Sequence, residues 1–520
     1  MYLFQSIKRN AQVSPHQIAT VDGARRQTWA ELHERVARFA AALVALGGEA
    51  GDRVAVLALN SDRYFELFFS VPWASRVVVP LNTRWSVTEN VYSLKDCGAT
   101  ILLVDEAFKD VAREIMLEAD HLKVIIYMGD AETPEGMLGY EDLLQAVEPV
   151  EDSPSAYSDL AGIFYTGGTT GFPKGVMLSH QNLWCSAISV MAGISINGPD
   201  TVYLHSAPMF HLADLAFSLA NTIAGSTHTF VPAFEPVKVL EAIAQHRVTD
   251  VLLVPTMISM LVNHPELAAA DISSLRKIVY GASPMPEGTL MRALERFPRV
   301  DFYQAYGQTE LAPIATILPP RYHVLEGPDA RRLCSAGQAA YCVELKILGD
   351  DGKALAVGNI GEVAVRGPNT MLGYWNSPQQ THAALVDGWV MTGDAGYLDD
   401  EGFLFLVDRV KDMIVSGGEN VFSAEVESAI SKHPAIQEVV VIGIPSEQWG
   451  ESVHAIVRLR SASGTTEQEV IDHCRQYIAG YKCPRSVVFR EEPFPLTGAG
   501  KLRKVELREV YWRDRQRAIN

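Results

Sequence analysis

Apolar residues along the chain alternate between two rhythms, a helical spacing of about 3.6 residues and short β-branched runs. Thr28 and Glu31 form a capping box, and Leu32, Val36, Phe39, Ala40 and Leu43 follow at helical spacing until Gly47 stops the run. Val54 to Leu57, Val77 to Pro80, Ile101 to Val104 and Val124 to Tyr127 read as strands, separated by polar or helix-like stretches such as Lys109 to Glu118. Strands that alternate with helices predict parallel sheet covered by helices. The alternation continues through residues 160 to 300, where Val251 to Val254 and Lys277 to Tyr280 read as buried strands.

From residue 335 onward the texture changes. Val343 to Leu348, Gly361 to Arg366 and Gly402 to Val407 are strands spaced by Gly, Asp and Asn turns, which predicts a small antiparallel subdomain. A second change falls at Asp408 to Asp412. Beyond it, Ala424 to His433 and Glu467 to Ile478 read as helices, and Val439 to Gly443 and His454 to Leu459 as strands, enough for a compact domain of about 110 residues. No internal repeat or low-complexity tract interrupts the pattern.

Composition narrows the class. A chain of 520 residues, 48% apolar, is long enough for two or more domains with large buried cores. The formal net charge of −18 argues against an extended nucleic-acid surface, although one positive loop could still hold a small anion. Cys97, Cys185, Cys334, Cys342, Cys474 and Cys483 are scattered without metal-ligand spacing and read as reduced thiols. The N-terminus lacks an apolar signal region and no run is long enough to span a bilayer, so a cytoplasmic protein with no membrane span is expected.

Candidate chemistry centres on Tyr165, Thr166, Gly167, Gly168, Thr169, Thr170, Gly171, Phe172, Pro173, Lys174 and Gly175. Glycine lets several backbone N–H groups turn toward one anion, threonines add hydroxyl donors and Lys174 adds a mobile charge. The run predicts a phosphate-holding loop, and so a nucleotide triphosphate. It is not a Walker A loop, since Pro173 and Gly175 flank the lysine where Gly and Ser or Thr are needed. The apolar Leu160 to Phe164 before it and the helix-like stretch after Ser179 give it a strand-to-loop context.

Further segments follow in order: Tyr306-Gly307-Gln308-Thr309-Glu310, Thr392-Gly393-Asp394, Asp408-Arg409-Val410-Lys411, Gly417-Gly418-Glu419, and Pro495 through Lys501. In this order and spacing the chain resembles the adenylate-forming superfamily, which includes AMP-forming acyl-CoA synthetases, luciferases and peptide-synthetase adenylation domains. The resemblance covers nearly the whole chain and is nearest in character to the acyl-CoA synthetases and fatty-acid–CoA ligases. It implies an α/β fold: a large N-terminal domain of helix-covered sheets with a small antiparallel β subdomain, residues 1–409, then a small mobile α+β lid, residues 410–520. It also implies ATP, Mg²⁺ and CoA as the molecules handled.

By that resemblance the loop from Thr166 to Lys174 cradles the β- and γ-phosphates, with Gly167 standing where many relatives carry serine. Thr309 would contact the α-phosphate, Glu310 would hold Mg²⁺, Tyr306 would lie beside adenine, and Asp394 and Arg409 would approach the ribose. Lys501 would be the catalytic lysine of adenylation and Lys411 the hinge. Gly417 and Gly418 would line a pantetheine tunnel, where a thin ligand passes close to backbone. His211, in Pro208-Met209-Phe210-His211, would wall the acyl site. Peptide-synthetase domains commonly carry aspartate there, which argues against an amino-acid substrate, while Asp214 keeps that question open.

The expected pocket wall is Leu212, Ala213, Leu215, Tyr280, Gly281, Ala282, Ser283, Gln304 and Ala305, largely apolar. Ala305, where aryl-acid ligases often have glycine, leans toward an aliphatic chain. A medium- or long-chain fatty acid is therefore the first expectation and a ferulate- or benzoate-like acid the second. No segment reads as a carrier domain, so free CoA is the expected acceptor. A luciferase-like oxygenase and a catalytically silent acyl- or nucleotide-binding protein are the rivals from other classes. Oligomeric state is open, a homodimer being one form it allows.

Overall fold

The computed structural model describes residues 2–153, 156–166, 173–409, 413–416, 419–446, 448–460, 464–496 and 502–513. Among these, the predicted alternation builds two large sheets. One has nine strands in the order Gln338–Ala339, Ile314–Leu318, Asp301–Gly307, Lys277–Gly281, Asp250–Leu253, Val202–His205, Thr227–Phe230, Ile18–Asp22 and Arg25–Thr28. From Asp301–Gly307 to Ile18–Asp22 its neighbours are parallel. The other has eight, ordered Gly373–Tyr374, Lys174–Ser179, Leu160–Thr166, Val77–Pro80, Arg53–Leu57, Ile101–Val104, Val124–Tyr127 and Leu138–Gly139.

The helix Asp62–Trp73 explains how the sheets are joined. Every residue of it is buried, as expected of a helix covered on all sides. Its Tyr64, Phe65, Phe68 and Phe69 share one core with Val54, Val56 and Ile101 of the eight-stranded sheet and with Tyr203, Phe230 and Leu252 of the nine-stranded one. The capping box at Thr28 starts the helix Trp29–Ala45 as the sequence predicts, with Glu31 donating from its N–H to the Thr28 hydroxyl. Further boxes at Ser86, Ser179 and Thr466 start the helices Val87–Cys97, His180–Gly193 and Glu467–Cys474.

The small antiparallel sheet is also present, with Glu344–Leu348, Gly361–Arg366, Trp389–Leu398, Leu385–Val386 and Leu404–Arg409. A further sheet of Glu419–Val421, Ile414–Ser416, Gly450–Leu459, Ile436–Ser446 and Ser486–Phe489 forms the C-terminal unit with helices Ser423–Ser431 and Glu467–Cys474. The second of these helices is shorter than the Glu467 to Ile478 expectation, because the chain turns after Cys474. Among the described residues no helix is long and apolar enough to cross a membrane.

Candidate active site

Four parallel strands lie side by side, Val202–His205, Asp250–Leu253, Lys277–Gly281 and Asp301–Gly307. In open α/β sheets ligands bind beyond the carboxyl ends of such strands. The segments at that edge carry His211, Gly281 to Ser283 and Gln304 to Glu310, which the sequence scatters over a hundred positions.

His211 is the N-cap of the helix Leu212–Ala224, half-buried, with its ring 4.3 Å from that of Phe210. A residue the sequence did not flag holds the approach to it. Buried Asn60, just before the all-buried helix, donates from Nδ2 to the carbonyls of His205 (3.3 Å) and Ala207 (2.9 Å) and accepts from Met209 N–H at 2.8 Å. Asp214 points the other way. Wholly buried, it bonds His205 Nδ1 at 2.7 Å and the Tyr203 hydroxyl at 3.0 Å. It is a core carboxylate tied to the sheet, which removes it from the question of an amino-acid substrate.

The stretch read as a phosphate loop joins two paired strands, and the helix begins only after the second of them. Leu160–Thr166 and Lys174–Ser179 are antiparallel, with Thr166 directly opposite Lys174. Gly167, Gly168, Thr169, Thr170 and Gly171 lie outside the described residues, but the two ends of the loop are side by side. Lys174 extends over the ring of Tyr374, its Nζ 5.3 Å from the centroid. The Tyr374 hydroxyl donates to Glu310 Oε1 at 2.7 Å. Burial first, and Glu310 second, push the Tyr374 phenol well above its ordinary range, so it remains a donor.

Thr309 and Glu310 sit on the short turn Thr309–Leu311 after the strand Asp301–Gly307. Buried Asn369 donates to the carbonyls of Leu311 (2.6 Å) and Ile314 (2.8 Å), and Asn182 donates to those of Pro368 and Thr370 at 2.8 Å each. Two amides thus fix the Glu310 turn against the segment leading to Tyr374.

On the small sheet, the Tyr306 hydroxyl donates to Asp394 Oδ2 at 2.8 Å. Thr392 shapes this turn: its hydroxyl accepts from Asp394 N–H at 3.2 Å and donates to the Val363 carbonyl at 2.7 Å. Strand register sets Arg409 opposite Asp394; the Arg409 side chain is outside the described set. So are Lys411, Gly417, Gly418 and Lys501.

The expected pocket wall divides in two. Ala213, Ala282, Ser283, Gln304 and Ala305 are half-buried, whereas Leu212, Leu215 and Tyr280 are closed into cores. Tyr280 donates its proton to His323 Nε2 at 3.0 Å, whose Nδ1–H is taken by the Pro319 carbonyl, so Tyr280 braces the sheet from behind. Gly281 is small for packing reasons: a Cβ there would sit 2.0 Å from the Ala305 carbonyl oxygen.

Glu310 is a hard oxygen donor of the kind Mg²⁺ takes. No group of three or more His, Cys, Asp or Glu that could hold a metal occurs among the described residues. A cation here would draw most of its shell from substrate phosphates and water, the usual arrangement for Mg²⁺ with a nucleotide.

The AMP-binding enzyme family matches residues 7–375 and the AMP-binding enzyme C-terminal domain matches 425–501. A feruloyl-CoA synthase from Amycolatopsis sp is 39% identical over 505 residues, covering 97% of this chain and 98% of that one. A long-chain-fatty-acid–CoA ligase from Mycobacterium tuberculosis is 34% identical over 511 residues, 97% of each. The solved anthranilate CoA ligase in complex with anthranoyl-AMP superposes with a TM-score of 0.90 at 26% identity, covering 98% of this chain and 97% of that one. The chain belongs to the AMP-binding enzyme family, within the adenylate-forming superfamily, and its class is that of AMP-forming acid–thiol ligases.

Proposed function

We propose that this protein joins an aromatic acid of the hydroxycinnamate type to coenzyme A through an acyl-adenylate. The observation that carries the nucleotide half is the convergence of Lys174, Tyr374 and Glu310 with the Tyr306–Asp394 pair around one strand edge. The similarity to the feruloyl-CoA synthase, over nearly the full length of both chains, supports the aromatic acid.

A carboxylate is a poor electrophile because its leaving group would be oxide. In the first step a carboxylate oxygen attacks the α-phosphorus of ATP, the bond to the β-phosphate oxygen breaks and pyrophosphate leaves. In the second, the CoA sulfur attacks the acyl carbonyl, losing its proton, and AMP departs. In this reading Thr166, Gly167, Gly168, Thr169, Thr170, Gly171 and Lys174 hold the β- and γ-phosphates, and Thr309 the α-phosphate. Asp394 and Arg409 hold the ribose beside Tyr306, and Lys501 stabilises charge on the α-phosphate as it develops. Glu310 holds Mg²⁺, which neutralises phosphate charge when bound. Residues 410–520 act as a lid turning about Lys411, and Gly417 and Gly418 give the thiol its path. His211, Ala213, Ser283, Gln304 and Ala305 bound the acid.

A second reading takes a medium- or long-chain fatty acid. Ala305 favours it, since its methyl occupies the wall where a flat ring would lie, and the mycobacterial fatty-acid ligase is a full-length relative. Acyl-CoA formation from ferulate, 4-coumarate, octanoate and palmitate at equal concentration separates the two. The aromatic acids should show the higher kcat/KM by tenfold or more. Preference for octanoate or palmitate would overturn the aromatic assignment and leave the two-step chemistry standing.

A further inference from the structure

We propose that Tyr374 is a positioning residue that locks the cation-holding carboxylate of Glu310 to Lys174 and the strand it begins, so that metal and phosphates are presented as one unit. This rests on the reading of Glu310 as the residue that holds the divalent cation.

The short strand Gly373–Tyr374 pairs with Lys174–Ser179, Tyr374 lying opposite Val176. On its two sides, Trp375 N–H donates to the Gly175 carbonyl (2.7 Å) and Leu372 N–H to the Met177 carbonyl (2.9 Å). Met371 N–H donates to the Glu310 carbonyl at 2.9 Å. One five-residue segment is therefore bonded through its backbone both to the strand that leaves the phosphate loop and to the residue expected to hold the cation. Tyr374 repeats that bridge with its side chain, holding Glu310 by the hydroxyl and Lys174 by the ring face.

The tyrosine is itself fixed. Its N–H donates to Thr381 Oγ1 at 2.8 Å, and that hydroxyl donates to the Ser377 carbonyl at 2.9 Å. Gly373 before it has φ +139°, and a Cβ there would meet Thr381 Cγ2 at 2.7 Å, so the bend that aims the phenol requires glycine. A phenol that donates to one carboxylate oxygen restricts the rotation of the whole carboxylate, which pre-orders the second oxygen for a hard cation. The ring face attracts the Lys174 ammonium and limits where it can swing. Phe in place of Tyr374 would keep the second effect and lose the first.

The test is a titration of Mn²⁺, followed by electron paramagnetic resonance of the unbound ion, into the full-length protein with a non-hydrolysable ATP analogue. Tyr374→Phe should bind Mn²⁺ about tenfold more weakly, some 1.4 kcal/mol, with affinity for the analogue in EDTA unchanged. Tyr374→Leu should weaken the analogue in EDTA as well, because it removes the surface under Lys174. Glu310→Gln should lose at least as much Mn²⁺ affinity as Tyr374→Phe, and the double variant no more than Glu310→Gln alone. Glu310→Asp, which draws the carboxylate away from the phenol, should reproduce the Tyr374→Phe loss from the other partner. Wild-type Mn²⁺ affinity in Tyr374→Phe alongside a loss in Glu310→Gln would overturn the proposal. Wild-type affinity in Glu310→Gln would overturn the cation reading on which it rests.

Discussion

At the scale of single residues, the site is held by amides as much as by charges. Asn60 uses both ends of its side chain on the main chain between His205 and Met209, so the approach to His211 is tied to the start of the all-buried helix. Asn60→Asp exchanges a donor for an acceptor facing two carbonyl oxygens. Leaving such buried groups unpaired should cost about 2–4 kcal/mol, measurable as a lower urea midpoint at unchanged slope. The KM for the acid should rise several-fold more than the KM for ATP, and equal rises would mean that Asn60 supports the fold without shaping the acyl side. Nothing in the sequence around Asn60 announces this role, because its partners lie far along the chain and are backbone atoms. Tyr374 was hidden for the same reason, its use depending on a strand pairing between distant segments.

At the scale of elements, helices and parallel strands were legible because their signals are local. The Thr28 capping box, the β-branched runs and the Gly and Asp turns of the small sheet all recur in the structure. The glycine- and threonine-rich run stands out in composition but its setting does not: Lys174 begins a strand, and only pairing with Leu160–Thr166 shows that. Asp214 misled in the other direction, since proximity to His211 in sequence says nothing about which face of the helix meets the sheet.

The contact between the large domain and the C-terminal unit is also an element-scale feature. Lys432 Nζ lies 2.8 Å from Glu287 Oε2, Arg460 donates to Asn263 Oδ1 at 3.2 Å, and Gly288 packs so closely that a Cβ would lie 2.6 Å from the Ser431 carbonyl oxygen. Alanine is intrinsically better than glycine within a helix by about 1 kcal/mol, so damage from Gly288→Ala would come from this contact. Single-turnover adenylation and thioester formation, measured separately, should respond unequally to Gly288→Ala, because one docked arrangement is disfavoured. Equal responses would mean that this contact is the same in both steps.

For the whole molecule, acid sensitivity follows from buried histidines. Burial lowers His180 and His323 from 6.5 to about 4. Depressed folded-state values mean that the unfolded chain takes up these protons first, so stability is full above pH 6.5 and falls as pH drops toward 4. Each group contributes on the order of 3 kcal/mol across that window by the free energy of a tenfold proton-binding difference. Asp22, raised to about 6 by burial and then by Asp62, works the opposite way, its contribution being lost as pH rises through 6. The urea midpoint of His323→Gln should vary less between pH 6.5 and 4 than that of the wild type, and an identical pH dependence would show that His323 titrates normally.

Across the whole molecule, activation of the acid by bonding its own oxygen to the α-phosphorus predicts where each carboxylate oxygen ends up. The most direct measurement supplies ferulate or octanoate labelled with ¹⁸O in its carboxylate, together with ATP and CoA, and follows the label by mass spectrometry. One labelled oxygen should appear in AMP, none in pyrophosphate, alongside one acyl-CoA. Label in orthophosphate with ADP, or thioester formed with unlabelled AMP, would contradict the account.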